Sequence, residues 1–199
     1  MLEVAQLSCA RGERLLFSNV SFSLNPGEWL HVQGSNGAGK TSLLRQLVGL
    51  APREAGQILW QGHPIHSPQF RNDILYLGHH AAVKEDLTPW ENLHLASMLD
   101  GGSSDLPATL KALQRLGLRG RENLPVRVLS AGQKRRVLLT RLLIRPAKLW
   151  VLDEAFNALD VSAVALLGGL IAEHLGGGGM AVLTSHQALP VPGGKTLTL

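Results

Sequence analysis

A glycine-rich segment that ends in a lysine and two hydroxyl side chains is the part of the sequence best suited to chemistry. The segment consists of Gly34, Ser35, Asn36, Gly37, Ala38, Gly39, Lys40, Thr41 and Ser42. Glycines allow successive backbone N–H groups to converge on an anion, and the first turn of a following helix adds unpaired donors. We therefore predict a nucleotide-binding loop in which Lys40 reaches the β- and γ-phosphates and the Thr41 hydroxyl ligates Mg²⁺. The alternative is a glycine-rich turn without a ligand.

Two adjacent acidic residues, Asp153 and Glu154, follow the apolar run at residues 149–152. A carboxylate at the end of a buried strand is well placed to hold Mg²⁺ beside the phosphates of a nucleotide. We predict this role for Asp153, with the metal contacted through water. A second carboxylate near the γ-phosphate can orient the attacking water and accept its proton, and this catalytic role is predicted for Glu154. The alternative is that the two acids only terminate a strand.

Hydrophobic patterns indicate which elements hold these residues in place. Patterns typical of buried strands occur at residues 29–33, 74–77, 149–152 and 180–183, and helical patterns at residues 89–99, 107–116, 130–144 and 161–175. Residues 2–7 and 20–24 alternate between apolar and polar side chains, as antiparallel strands do. Two capping boxes, which start at Thr88 and Ser130, predict where two of the helices begin.

The order of these elements favours an α/β fold. Continuous apolar strands that alternate with helices predict a parallel sheet covered on both faces, and an antiparallel β portion precedes it. We expect a single domain over residues 1–199. Its α/β core is predicted to comprise residues 1–84 and 146–199, and a helical subdomain is predicted at residues 85–145.

Composition and charge restrict the class of protein. The chain has 199 residues, of which 45% are hydrophobic, and its formal net charge of +4 is too modest to indicate a ligand. The longest nearly apolar stretch, residues 161–172, is shorter than the roughly 20 residues of a membrane-spanning helix. The N-terminus lacks the pattern of a secretion signal, and Cys9 is the only cysteine, so a cytoplasmic location is expected.

A short segment, residues 129–133, carries the resemblance to a known family. Its sequence, Leu-Ser-Ala-Gly-Gln, resembles the Leu-Ser-Gly-Gly-Gln signature of the ATP-binding-cassette (ABC) ATPases. The resemblance implies a P-loop NTPase fold with a RecA-like core, ATP as substrate and Mg²⁺ as cofactor. It also implies a head-to-tail homodimer, in which Ser130, Gly132 and Gln133 of one subunit contact the ATP held by the glycine-rich loop of the other.

Other positions of the sequence match this family or depart from it. Asp160 lies where the family has its D-loop, and His186 lies where it has a catalytic switch histidine that contacts the γ-phosphate. The family usually has a glutamine that senses Mg²⁺ and water in the region where this chain has His79 and His80, and either histidine could replace it. Arg11 stands nearest the position of an aromatic residue that stacks on adenine, which leaves base selectivity open.

The resemblance also implies a function. The chain is expected to be the ATP-hydrolysing subunit of a membrane transporter, held at the cytoplasmic face of the inner membrane by integral membrane subunits. Residues 77–79, 87–93, 129–136, 149–160 and 184–187 resemble ATPases of cytochrome c maturation, which implies ATP-driven release of a haem-loaded chaperone. The alternatives are another small ABC exporter, a soluble ABC-type ATPase that acts on nucleic acid or ribosomes, and a binding module with little turnover. No basic arm or stacking platform is visible, so no nucleic-acid partner is expected.

Overall fold

The strands form two sheets in the part of the chain that the structure, a computed structural model, describes: residues 1–79, 82–103, 105–185 and 190–199. The strands are β1 (Leu2–Arg11), β2 (Arg14–Leu24), β3 (Trp29–Gln33), β4 (Ala55–Trp60), β5 (His63–Pro64), β6 (Ile74–Leu77), β7 (Leu149–Leu152), β8 (Met180–Thr184) and β9 (Lys195–Thr198). One sheet is antiparallel, in the order β2-β1-β4-β5, and the other is parallel, in the order β6-β7-β8-β3-β9. The predicted α/β class with an antiparallel portion is therefore confirmed.

Helices connect the parallel strands. They are α1 (Lys40–Leu47), α2 (Pro68–Asp73), α3 (Pro89–Leu99), α4 (Leu106–Arg115), α5 (Ala131–Leu139), α6 (Arg141–Ile144) and α7 (Val161–Gly176), with a 3₁₀-helix at Val126–Val128. Both predicted capping boxes form, because the hydroxyls of Thr88 and Ser130 accept hydrogen bonds from the N–H groups of Glu91 and Gln133. No helix in the described ranges combines the length and the apolar character that crossing a bilayer requires.

The helix predicted at residues 130–144 is divided into α5 and α6, so this prediction was wrong in one respect. The break lies at Thr140, whose hydroxyl donates a hydrogen bond of 2.8 Å to the carbonyl of Arg136. A threonine side chain that bonds to the preceding turn competes with the main-chain ladder and bends helices. The apolar periodicity continues across the break, which is why the sequence pattern does not reveal it.

Alternate residues of the parallel strands face opposite sides of the sheet. On β7, Leu149 and Val151 pack into a core shared with α1 and the antiparallel sheet, whereas Trp150 and Leu152 pack into a core shared with α7. Both faces are covered, which explains why β7 and β8 are buried at every residue. The carboxyl ends of β3 and β7 lie at the same edge, so the residues that follow them can form one site.

A third apolar core joins the helices between β6 and β7. It consists of Leu93, Leu113, Leu118, Val126, Leu129 and Val137. These side chains come from α3, α4, the 3₁₀-helix, α5 and the loops that join them. Leu129 precedes the N-cap Ser130 and Val137 lies in the last turn of α5, so the core holds this helix at both ends and fixes the position of Ser130.

Candidate functional site

The glycine-rich loop joins β3 to α1, and its last glycine closes the turn into the helix. Gly39 immediately precedes α1 and has a φ of 106°, a conformation that strains other residues. A Cβ atom at this position would lie 3.0 Å from the ring of Phe17 and 3.1 Å from Cβ of Leu16. The loop therefore needs glycine here for both its conformation and its packing.

Lys40, the first residue of α1, directs its side chain back over the loop. Only 8% of the residue is exposed, and its Nζ donates hydrogen bonds to the carbonyls of Gly34, at 2.8 Å, and Ser35, at 3.1 Å. The Ser35 carbonyl also accepts a hydrogen bond from the N–H of Ala38 at 3.2 Å. A nearly buried ammonium needs such acceptors, and here they hold the positive charge against the loop backbone. A phosphate bound by the loop would meet this charge directly.

One pocket contains both the loop and one residue of the acidic pair. The predicted loop residues that line it are Asn36, Gly37, Gly39, Lys40, Thr41 and Ser42. Glu154 lines it as well, although it lies more than a hundred residues farther along the chain. Arg11, Arg14 and Leu16 from the antiparallel sheet complete the lining. Arg11, the residue nearest the family's adenine-stacking position, therefore lines the same pocket as the glycine-rich loop.

The hydroxyl of Thr41 and the carboxylate of Asp153 contact each other across the end of the parallel sheet. Asp153 is 1% exposed, and its two oxygens accept hydrogen bonds from the hydroxyls of Thr41, at 2.8 Å, and Thr184, at 2.7 Å. Mg²⁺ prefers oxygen ligands, keeps several waters, and is usually held by one or two protein oxygens together with substrate phosphates. The hydroxyl oxygen of Thr41 and the carboxylate of Asp153 are therefore suitable ligands for the Mg²⁺ ion expected from the sequence.

Glu154 is fixed at both its backbone and its carboxylate. Its φ is 51°, a left-handed value that is uncommon outside glycine, and its N–H donates to the hydroxyl of Thr184 at 2.8 Å. The carboxylate accepts a hydrogen bond from the side-chain amide of Asn157, and its Oε2 lies 3.0 Å from Nδ1 of His79. The carboxylate is thus oriented beside the glycine-rich loop, where it can bind a water molecule.

The signature residues lie at the N-terminus of α5, where the helix packs closely on the segment after β7. A Cβ atom at Gly132 would lie 3.0 Å from the carbonyl oxygen of Ala158, so a larger residue would have to shift the contact. The surrounding pocket is lined by Gly117, Ser130, Gly132, Gln133, Arg136, Ala158 and Asp160. Within the described residues, the signature and the glycine-rich loop therefore line separate pockets.

Asp160 caps α7 and links it to α5. Its carboxylate accepts hydrogen bonds of 2.8 Å from the N–H of Ala163 and from the hydroxyl of Ser162, and it forms an ion pair with Arg136. The hydrogen bonds from Ala163 and Ser162, with the charge of Arg136, hold the pKa of Asp160 below its ordinary value. The residue is therefore ionised at neutral pH.

Two residues that the sequence singles out lie outside the described part of the chain, and three residues that contact the acidic pair were not predicted. His80 and His186, which the sequence singles out, lie outside the described residues. Sequence reasoning missed Thr184, Asn157 and Arg135, which contact the acidic pair. The hydroxyl of Thr184 at the end of an apolar strand was an available signal, whereas no local pattern marks Arg135.

Known proteins resemble this chain over most or all of its length. The profile of the family described as ABC transporter matches residues 17–157. The cytochrome c biogenesis ATP-binding export protein CcmA of Dechloromonas aromatica (strain RCB) is 53% identical over 201 residues, which cover 100% of this chain and 98% of that protein. The protein of the same name from Escherichia coli (strain K12) is 49% identical over 197 residues, which cover 98% and 93%.

Solved structures share the fold. A putative ABC transporter ATP-binding protein from Pyrococcus furiosus superposes with a TM-score of 0.85, at 24% identity, over 100% of this chain and 96% of that chain. An ATP-binding subunit of an ABC transporter superposes with a TM-score of 0.83, at 28% identity, over 94% and 79%. The chain therefore belongs to the ABC transporter family, as one of its ATP-binding and ATP-hydrolysing subunits.

Proposed function

We propose that this chain supplies ATP hydrolysis to a membrane complex for cytochrome c biogenesis. The observation that carries the proposal is the identity of 53% and 49% with CcmA proteins, over nearly the full length of both partners. A likeness of this extent favours the transporter over an ATPase that acts on nucleic acid or ribosomes. The chain would then work as a peripheral protein at the cytoplasmic face of the inner membrane.

The contacts around the glycine-rich loop support a division of roles within one ATP site. Lys40 would neutralise the β- and γ-phosphates, and Thr41 and Asp153 would hold Mg²⁺, the latter through water. When bound, the ion neutralises charge that develops between the β- and γ-phosphates. Glu154 would orient the attacking water and accept its proton, because His79 and Asn157 hold its carboxylate beside the pocket.

The separate position of the signature pocket supports a homodimer of two cassettes. Ser130, Gly132 and Gln133 begin α5, and a helix N-terminus with its unpaired N–H groups attracts phosphate. Since these residues line a different pocket from the loop of their own chain, they would contact the ATP bound by a partner subunit. We propose that Asp160 lies at the same interface and that His186 contacts the γ-phosphate.

Exposed apolar side chains support a docking surface for integral membrane subunits. Met98 and Leu99, at the end of α3, are 59% and 80% exposed. Exposed apolar side chains that adjoin one another are a feature of protein–protein contact sites. We propose that the contact is centred on residues 78–100. ATP binding would close the dimer and hydrolysis would reopen it, which moves the membrane subunits and releases the haem-loaded chaperone.

A deletion strain grown under conditions that require c-type cytochromes tests this function. We expect loss of covalently attached haem in c-type cytochromes, rescue by the wild-type gene and no rescue by Glu154→Gln. Haem staining of separated membrane and periplasmic proteins measures the attachment. Normal attachment in the deletion strain would refute the role in cytochrome c biogenesis, and co-purification with ribosomes instead of membrane proteins would favour the soluble alternative.

A further inference from the structure

A buried arginine in α5 contacts the backbone of the catalytic region through every one of its N–H donors. Arg135 lies in the second turn of the helix and is 5% exposed. A guanidinium carries five N–H donors in a fixed plane. In Arg135, Nε donates to the carbonyl of Ala155 at 3.4 Å, Nη1 to those of Gly78 at 3.1 Å and His79 at 3.3 Å, and Nη2 to those of Asp153 at 3.1 Å and Glu154 at 3.0 Å.

The five carbonyls come from two adjacent strand ends. Gly78 and His79 follow β6, and the other three residues follow β7. Burial lowers the pKa of Arg135, and the negative charges of Asp153 and Glu154 act in the opposite direction. Because arginine keeps its charge even when buried, the guanidinium is a permanent cation against these carbonyls, and hydrogen bonds from a charged donor are stronger than neutral ones.

The contacts with Asp153 and Glu154 have a specific geometric effect. Their carbonyls belong to the two peptide groups on either side of the Glu154 Cα, so one guanidinium restrains both backbone torsions of Glu154. The φ of this residue is 51°, a conformation that costs free energy and persists only where the surroundings enforce it. The same guanidinium holds the carbonyl of His79, whose ring contacts the Glu154 carboxylate.

We propose that Arg135 is a positioning residue for ATP hydrolysis, which fixes the backbone that aims the Glu154 carboxylate. Arg135 lies on α5, whose N-cap is Ser130. It therefore also connects the signature residues to Glu154 of the same chain. A movement of α5 on contact with the partner subunit's nucleotide would therefore reach Glu154 through this side chain. The inference rests on the proposed role of Glu154 as the catalytic acid.

The variant Arg135→Lys separates this role from a purely structural one. Lysine keeps the positive charge, but a single ammonium cannot span carbonyls on two strand ends. We expect kcat of the purified full chain to fall at least about tenfold, with KM for ATP changed less than about threefold, because the phosphate-loop contacts remain. An unchanged kcat would overturn the proposal, and so would a loss confined to KM.

Arg145→Lys is the matched control. The guanidinium of Arg145 donates hydrogen bonds to the carbonyls of Ile74, at 2.6 Å, and Arg71, at 2.8 Å. These carbonyls lie at the start of β6, whereas Arg135 contacts the residues that follow its end. Burial lowers the pKa of Arg145 as well. We expect both lysine variants to lower the Tm, but only Arg135→Lys to lower kcat. Equal effects on kcat would show that loss of any such arginine impairs turnover, and would overturn the proposal.

A double-variant comparison tests whether Arg135 acts through Glu154. We expect Arg135→Lys to slow the residual turnover of Glu154→Gln by less than twofold, because residues that act as a unit are not additive. If the double variant instead loses turnover by the product of the two single-variant losses, the proposal is overturned. Rapid turnover by Glu154→Gln alone would instead refute the role of Glu154 in the proposed function. If Arg135→Lys does not fold, Arg135→Gln replaces it without a buried charge, and failure of both to fold assigns Arg135 to structure alone.

Discussion

Nδ1 of His79 lies 3.0 Å from Oε2 of Glu154, so side chains that follow two adjacent strands meet beside the glycine-rich loop. The imidazole side chain is 49% exposed, whereas the carboxylate side chain is 17% exposed. Asn157 donates a hydrogen bond to the same oxygen. The carboxylate therefore has a defined orientation and a contact with the segment, residues 78–100, that is proposed to contact the membrane subunits.

Glu154→Gln should bind ATP but hydrolyse it at least tenfold more slowly. The amide keeps an oxygen near the water but cannot accept its proton, and general-base catalysis contributes about 10²–10⁴-fold. Steady-state phosphate release measures the rate, and we expect an ATP-dependent dimer to accumulate in size-exclusion chromatography. Glu173→Gln is the control, because Glu173 pairs with Arg115 on the surface of α7 and α4. Near-normal turnover by Glu154→Gln would show that another group activates the water.

Replacing His79 by alanine should reduce stimulation by the membrane subunits more than it reduces basal turnover. The imidazole and the side-chain amide of Asn157 both contact Oε2 of Glu154, so the carboxylate keeps the contact with Asn157 in this variant. His79 also lies within residues 78–100, on which the proposed contact with the membrane subunits is centred. The ratio of the ATPase rate in the assembled complex to that of the isolated chain measures the coupling. His63→Ala, on an exposed residue of β5, is the control, and equal losses of both rates would argue against a coupling role.

Local sequence patterns were sufficient to predict the glycine-rich loop between β3 and α1, both capping boxes and the buried parallel strands. Each depends on residues that are close in the chain, such as Ser130 with Gln133, or on apolar runs that a covered sheet requires. The edge strand β9 was not predicted, because its short, mostly exposed sequence becomes a strand only by pairing with β3. α2 was also missed, although Ser67 followed by Pro68 is a recognisable helix start.

The contacts around the acidic pair could not be predicted from spacing alone. Thr41 and Thr184 meet Asp153 because β3 and β7 both pair with β8, and this strand order is set by the packing of the whole sheet. Arg135 stands in an ordinary helical sequence, and its role depends on how α5 packs against two strand ends. Local patterns therefore identify the chemical groups, whereas tertiary packing decides which side-chain and backbone atoms contact them.

Lys40→Ala should weaken ATP binding itself. The ammonium is positioned over the loop by the carbonyls of Gly34 and Ser35, so its charge is available to a bound phosphate. Hydrogen bonds to charged groups contribute about 1.5–3 kcal/mol, which corresponds to a loss of affinity of roughly 10- to 100-fold. Isothermal titration calorimetry measures the Kd. Lys148→Ala, which removes an exposed lysine paired with Asp73, should leave it unchanged, and an unchanged Kd for Lys40→Ala would contradict the phosphate-loop assignment.

His174 should make the fold less stable at mildly acidic pH. Its ring lies flat against Trp150, with centroids 3.8 Å apart and planes 2° apart, and its Nε2 lies 3.1 Å from the carbonyl of Met180. Burial lowers the pKa of His174, and the bond to Met180 only partly offsets this effect. The unfolded chain therefore binds the proton more readily than the folded chain, so the free energy of unfolding falls as the pH drops below about 6.5.

His174→Phe keeps a flat ring on Trp150 but cannot bind a proton, so it should reduce this pH dependence. Urea unfolding at pH 7.5 and pH 5.5 measures the free energy of unfolding of each variant. We expect the loss of stability between the two pH values to be smaller in His174→Phe than in the wild type, even if the lost bond to Met180 lowers stability at both. His66→Phe, at an exposed position, is the control and should keep the wild-type pH dependence. The same loss in His174→Phe as in the wild type would place the sensitive group elsewhere in the chain.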